Sequence, residues 1–175
     1  MKITQLLQED KVTLSLEVFP PKKDTAVEQV SQSVRAIAAL HPDFMSVTYG
    51  AGGSNSKRTI EIADHIQTQY QIPALAHLTC VASAKSDIAS TLHQLKDKHI
   101  TNILALRGDV PQGMNPEDAV KDYCYAYQLI EDIKSQGDFC VGAACYPEGH
   151  IECSRKMDDI DHLKRKVDCG CDFLT

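Results

Sequence analysis

Tryptophan is missing from this sequence, and aromatic residues together make up only 6% of it. A platform for stacking single-stranded nucleic acid needs more than that. Positive charge is also scarce: 18 Lys and Arg stand against 24 Asp and Glu, giving a formal net charge of -6 and a pI of about 5.6. Both features argue against nucleic acid as a partner. No apolar run approaches the length needed to cross a membrane. The first ten residues have neither the basic start nor the apolar stretch of a secretory signal. The expectation is a cytoplasmic protein with no nucleic-acid or membrane partner.

Cysteine, by contrast, is plentiful, with seven residues. An odd count without a secretory signal speaks against a disulfide framework. No Cys-x-x-Cys pair is present, and Cys169 and Cys171, which flank Gly170, are a half-site without a matching half. Reduced, mostly buried thiols acting as small apolar residues are expected, and no metal. With 43% hydrophobic and 24% charged residues over 175 positions, the chain can build one domain with a sizeable core.

Periodicity predicts an alternation of helices and strands. Residues Met1 to Glu9 read as a short amphipathic helix, and Thr13 to Phe19 as a strand ending at Pro20 and Pro21. Thr25 and Glu28 have capping-box spacing for a helix to about Leu40, with Val27, Val30, Val34, Ile37 and Ala38 on one side. Phe44 to Tyr49 is a strand followed by Gly50-Ala51-Gly52-Gly53. A helix from Asn55 or Ser56 carries Ile60, Ile62, Ala63 and Ile66. Ala74 to Leu78 is a strand ending in Thr79, and Ser86 can cap a helix that buries Ile88, Leu92 and Leu95. Asn102 to Leu106 is a strand. Asn115 and Pro116 read as a cap and first turn of one helix reaching about Gln136, with Gly137 past its end. Phe139 to Ala144 is a strand, Asp158 to Val167 holds a helix, and Phe173 and Leu174 begin another strand.

Strand and helix recur about every thirty residues, the spacing of linked βαβ units. An open doubly wound sheet and a (β/α)8 barrel both fit. The first strand lacks the Gly-rich loop of the open sheet, and polar residues follow every strand, as they do around a barrel mouth. A barrel typically takes about 250 residues. The reading is therefore one α/β domain over residues 1–175, an incomplete (β/α)8 TIM barrel of about five βα units and the start of a sixth strand.

The strand tips concentrate chemistry. They offer Glu17; Thr48 and Tyr49; His77 and Thr79; Arg107, Gly108 and Asp109; and Tyr146, Glu148 and His150. Gly108 has no side chain, so a flat ligand or another backbone could come close. Arg107 supplies a planar cationic fork and Asp109 an acceptor. Glu17 lies among Leu14, Leu16, Val18 and Phe19. Burial there would raise its pKa toward general-acid use, while an alternating strand would turn it to solvent. Both readings stand at this point. His77 reads as a hydrogen-bonded core or ligand-facing histidine, since no second metal ligand lies at the right spacing. Arg165 and Lys166 could serve a helix end or a phosphate.

Six stretches resemble the methylenetetrahydrofolate reductase family. They are Leu16-Glu17-Val18-Phe19-Pro20-Pro21, Ser46-Val47-Thr48-Tyr49-Gly50-Ala51, His77-Leu78-Thr79-Cys80, Leu104-Ala105-Leu106-Arg107-Gly108-Asp109, Ala144-Cys145-Tyr146-Pro147-Glu148-Gly149-His150 and Leu163-Lys164-Arg165-Lys166-Val167-Asp168. The resemblance covers nearly the whole chain. It implies a (β/α)8 barrel holding FAD at the carboxyl ends of its strands, with NAD(P)H as co-substrate and 5,10-methylenetetrahydrofolate as substrate. By resemblance, Glu17 matches the catalytic acid, and Asp109 the aspartate near the flavin ring and the pterin. Thr48, Tyr49, Ala51, His77, Arg107, Gly108, Ala126, Tyr146, His150, Cys153, Asp159, His162, Arg165 and Lys166 match cofactor contacts, with Glu17, Thr48 and Asp109 also at the folate. The residue types at Cys153 and His162 vary in the family pattern. The resemblance implies ping-pong kinetics over one flavin face, a place in one-carbon metabolism and methionine synthesis, and a homo-oligomer for the full-length protein.

The family pattern runs on past Thr175 with a Gln that meets nicotinamide and folate, and with more strands. The expectation is a chain that carries the acid and most FAD contacts, and that by itself is marginally stable and weakly active. Two other classes stand beside the reductase: a flavin-binding fragment without turnover, and an unrelated phosphate-binding barrel lyase using Glu17 and His77. The lyase calls for a strand lysine as nucleophile, and no strand here has one well placed.

Overall fold

The chain's structure is a computed structural model that describes residues 1–8, 10–21, 27–49, 56–150, 153 and 155–175, without the side chains of residues 27–29 and 56. Among the described residues, six parallel strands pair in sequence order into a curled half-barrel. They are β1 (Ser15–Val18), β2 (Phe44–Val47), β3 (Ala74–Thr79), β4 (Asn102–Leu106), β5 (Cys140–Ala143) and β6 (Phe173–Leu174). The helices between them are α2 (Val27–Ala38), α3 (Ser56–Tyr70), α4 (Lys85–Asp97), α5 (Pro116–Ala119), α6 (Ala126–Gln136) and α7 (Lys156–Asp168), with α1 (Ile3–Leu6) ahead of the sheet. This is the expected incomplete (β/α)8 barrel. Among the described residues, no helix is long and apolar enough to cross a membrane.

Alternation along the strands sorts the apolar residues into two cores. The larger lies between sheet and helices. It joins Val18, Met45, Val47, Ala76, Leu78, Ile103, Ala105, Val141 and Ala143 of the strands to Val34, Ala63, Ile66, Ile88, Leu92, Leu95, Leu129, Ile130 and Ile133 of the helices. The smaller lies inside the curl, where Phe44, Leu75, Leu104 and Cys140 pack with Ile3 and Leu6 of α1. The inner face is thus apolar near the amino ends of the strands, and α1 plugs it.

Asn102 pins that plug. It is fully buried at the first position of β4. Its Oδ1 accepts from the Ile3 N–H (3.0 Å), and its Nδ2 donates to the carbonyls of Met1 and Ala74 (3.2 Å each). One side chain therefore satisfies an orphan N–H of α1 and holds the helix to β3 and β4. On the same inner face, Gly142 leaves room for Phe173. A Cβ there would lie 2.5 Å from the Phe173 ring.

Several expected boundaries shift. The helix expected over Met1 to Glu9 is the single turn α1, and the one expected to reach Leu40 ends at Ala38. His41 follows in the left-handed region (φ 52), where the α conformation is disfavoured ahead of Pro42. The Thr25 half of the capping box lies outside the described residues. Ser86 is not a cap. Ala84 N–H donates to Asp87 (3.1 Å) and Lys85 N–H to Asp122 (2.8 Å). Asn115 does not cap α5 through its side chain, which instead donates to Asp118 (3.2 Å).

The helix expected from Pro116 to Gln136 is two helices. The Ala119 carbonyl accepts from Ala82 N–H (2.8 Å) instead of continuing the ladder. Tyr123 turns inward, 2% exposed, and donates to Asp132 (2.7 Å). Gln128 Oε1 then accepts from Cys124 and Tyr125 N–H at the start of α6. Three tertiary demands override the local helical pattern. The cysteines differ as well. All are free, but only Cys80 and Cys140 are buried, and Cys124 is exposed.

Replacing Asn102 with Ala would leave one N–H and two carbonyls without their partner in a dry site. In urea unfolding of the full-length protein, Asn102→Ala should cost about 2–4 kcal/mol, whereas Ser90→Ala on the exposed side of α4 should stay within about 0.5 kcal/mol. Equal, small effects would show that α1 is not held by this residue.

Candidate active site

The upper inner face, toward the carboxyl ends of the strands, is polar. Pairing sets Glu17 of β1 beside Ser46 of β2, and His77 enters from β3 one strand further on. Ser46 Oγ donates to Glu17 Oε2 (3.3 Å), and His77 Nε2 lies 3.5 Å from the same oxygen. Glu17 is not buried in its apolar strand. Leu16 and Val18 alternate toward the helices, and the Glu17 side chain, 43% exposed, faces the interior of the curl. His77 is 9% exposed. Its burial holds the imidazole pKa below the usual value, against the opposing pull of Glu17. Near neutral pH the pair is thus a carboxyl beside a neutral imidazole.

Thr48 follows β2. Its N–H donates to the Val18 carbonyl (3.0 Å) and its carbonyl accepts from Thr59 Oγ1 (2.9 Å), which fixes the β1 and β2 tips together. Tyr49 packs in part against the outer core. Ala51 lies outside the described residues. At the β4 tip, the Arg107 carbonyl accepts from Val81 N–H (2.8 Å), and Arg107 Nε donates to the Gly108 carbonyl (3.3 Å). Gly108 has φ +82, and a Cβ there would come within 2.9 Å of Thr79 and Val81. The close approach read at Gly108 is therefore made by the chain's own β3–α4 loop. Asp109 stands exposed beyond it.

A second cluster gathers past β5. His150 N–H donates to Asp159 Oδ2 (2.8 Å), and the rings of Tyr146 and His150 meet edge to face at 4.8 Å. Lys166 Nζ donates to the Ala144 carbonyl (2.8 Å). Its burial lowers its pKa, with Asp159 opposing. A cavity of about 260 Å³ lies between the β5 tip and α7, lined by Ala144, Tyr146, Asp159, Leu163 and Lys166 among others. Beside it, Arg165 sits over the Tyr127 ring (4.4 Å), His162 stacks with Tyr125 (6.2 Å), and Tyr125 stacks with Tyr127 (5.9 Å). Ala126, between the two tyrosines, is the buried first residue of α6. Another concavity, about 300 Å³, lies between α2 and α3 and is lined in part by Pro21 and Arg58.

Three donor atoms, from Cys153, Asp159 and His162, lie within 4.8 Å of one another. Thiol chemistry has little support elsewhere. Burial pushes Cys80 up to about 12, and burial with the Glu131 contact pushes Cys169 up to about 11, so both stay protonated. The donor set of the second cluster suits a dinucleotide: two cations for a pyrophosphate, and stacked aromatics with a small buried residue for a planar base. Tyr125 and Tyr127 were not among the expected site residues. Their signal is a tyrosine at every second position across the start of a helix, and it gains meaning only when α7 brings His162 and Arg165 alongside.

A family model described as methylenetetrahydrofolate reductase matches residues 2–175. Methylenetetrahydrofolate reductase 1 of Schizosaccharomyces pombe is 37% identical over the whole chain, which covers 30% of that protein. The 5,10-methylenetetrahydrofolate reductase of Escherichia coli is 34% identical over 91% of the chain and 52% of its own length. The chain thus spans between about a third and about half of these curated relatives. Among solved structures, 2,3-dimethylmalate lyase superposes on 99% of the chain and 61% of its own, with a TM-score of 0.60 and 12% identity, a likeness of fold alone. With its sequence matched almost end to end and its strands curled into the expected half-barrel, the chain belongs to the methylenetetrahydrofolate reductase family.

Proposed function

We propose that the full-length protein reduces 5,10-methylenetetrahydrofolate to 5-methyltetrahydrofolate with NAD(P)H, and that residues 1–175, read as one partial barrel domain, carry the acid and most of the flavin contacts. The observation that carries this reading is the Glu17 carboxyl on the inner face, beside a buried neutral His77. Bound FAD would accept hydride from NAD(P)H and pass it to the folate, the two substrates taking turns.

Each residue then has a task. Glu17 gives a proton to the leaving nitrogen as the five-membered ring opens, so the methylene carbon is left as a cationic iminium ready for hydride. His77, neutral, does not draw that proton away. Asp109, exposed beyond the β4 tip, places a negative charge where the cation forms. Arg165 and Lys166 take the pyrophosphate, His162 and the tyrosine pair stack a base, and Arg107 with Thr48 orients the flavin ring. Asp159 and the His150 amide, already bonded to each other, shape the loop around it. Cys153 and Tyr146 line the same region, and Ala51 is assigned by family resemblance. The protein acts in the cytoplasm as a homo-oligomer.

The lyase alternative has the fold likeness alone, at 12% identity. Among the described strands none contains a lysine.

Two measurements test the reading on the full-length protein. Heat-released flavin identified by chromatography should be FAD, and Arg107→Ala should weaken its binding by about ten-fold or more, the worth of a charge-assisted contact. Recovery of FMN alone, or of no flavin from folded protein, would refute it. Stopped-flow separates the half-reactions. Glu17→Gln should cut folate reduction at least about a thousand-fold, within the range of general acid catalysis, and leave flavin reduction by NAD(P)H within a few-fold. Equal losses would make Glu17 structural.

A further inference from the structure

We propose that Ser46 is a positioning residue for the acid: its hydroxyl holds Glu17 Oε2 and thereby leaves Oε1 as the oxygen that carries the proton to the substrate. The inference rests on the reading of Glu17 as the proton donor.

Ser46 sits where a hydroxyl needs a reason. It is 8% exposed, on the inner face of β2 two residues past the buried Phe44. Its register partner on β3 is Leu75, which is apolar, and its partner on β1 is Glu17. An unpartnered hydroxyl would be costly in such a place. It is bonded, and the acceptor is Glu17 Oε2 at 3.3 Å. His77 Nε2 lies 3.5 Å from the same oxygen. Both neighbours therefore converge on Oε2, and neither contact uses Oε1.

That division has a chemical result. When the Oε1–H bond breaks, the proton goes to the leaving nitrogen of the folate. The electron pair of the carbon–nitrogen bond goes to that nitrogen, and the methylene carbon becomes cationic. Negative charge then spreads over both carboxyl oxygens. A donor already aimed at Oε2 strengthens as that charge grows, so Ser46 makes Glu17 a better acid at the moment of transfer. Among the described residues, β2 brings no titratable side chain to Glu17, and β3 brings His77, the one titratable group in contact with it. Burial lowers the His77 pKa, with Glu17 opposing, so the imidazole takes up a proton less readily than a free one.

The test follows the folate half-reaction of the FAD-loaded full-length protein across folate concentration. Ser46→Ala should lower the limiting rate about ten-fold, the worth of one hydrogen bond to a charged group. The folate concentration at half-maximal rate should stay within about two-fold, because Ser46 touches the acid and not the substrate. Ser46→Thr keeps the hydroxyl and should restore the rate. Should Ser46→Ala fail to fold, Ser46→Cys, a weak donor of similar size, carries the same expectation. An unchanged limiting rate, a loss in half-saturation alone, or a Thr variant no better than Ala, overturns the role of Ser46. Glu17→Gln is run alongside. If it retains folate reduction, the acid assignment itself is wrong; if it loses it while the Ser46→Ala rate is unchanged, only the positioning role is.

Discussion

Glu17 can face the interior of the curl only because Leu16 and Val18 face the helices, and the same alternation governs every strand beside it. Outward positions are apolar and lock the sheet to α2, α3, α4 and α6. Inward positions divide by height. Low on the sheet they are Phe44, Leu75, Leu104 and Cys140, closed off by α1. Higher up they are Glu17, Ser46 and His77. A shift of one residue in the β1–β2 register would send the carboxyl into the helical layer and Val18 into the mouth. The chemistry at the tips therefore depends on the outer core holding that register.

Loops above the sheet satisfy one another's polar groups rather than their own. The segment after Ala119 gives up helix to bury Tyr123, to supply Asp122 to the first turn of α4, and to receive Ala82 N–H on the Ala119 carbonyl. The same β3–α4 loop reaches Arg107 through Val81 N–H and packs against Gly108. The β4 tip is thus braced from one side by a loop that is itself capped from the other. This fixes the backbone of Arg107 and Gly108 at the β4 tip.

Much of this was legible in the sequence. The span of β4 was read to the residue, because Asn102-Ile-Leu-Ala-Leu106 is an apolar run cut off by charge. Ile88, Leu92 and Leu95 were read from helical spacing alone. What escaped depends on partners far along the chain. The break after Ala119 is set by Ala82 and by the N-terminus of α4, more than thirty residues away. The direction of Glu17 could not be read from β1, whose apolar neighbours fit burial and exposure equally well; the β2 register decides it. Ser46 stood in a recognised motif without a task, since a serine in a strand is ordinary until a carboxyl is found beside it. The cysteines are free as expected, but burial fails at Cys169 and Cys171, which follow α7, a helix with no buried residue of its own.

The bond between Ile3 and Asn102 spans 99 positions of the sequence. As the chain is synthesised, α1 emerges well ahead of its docking partner, which comes only after three strands and three helices have followed. A four-residue helix has no stability of its own to wait with. It must therefore remain unformed until β3 and β4 are paired. Until that moment the lower inner face, with Phe44, Leu75 and Leu104, stays open to water or to other chains. Residues made before the sheet are thus among the last of this barrel to find their place, and the interval before they do is when this fold is most exposed to misassembly.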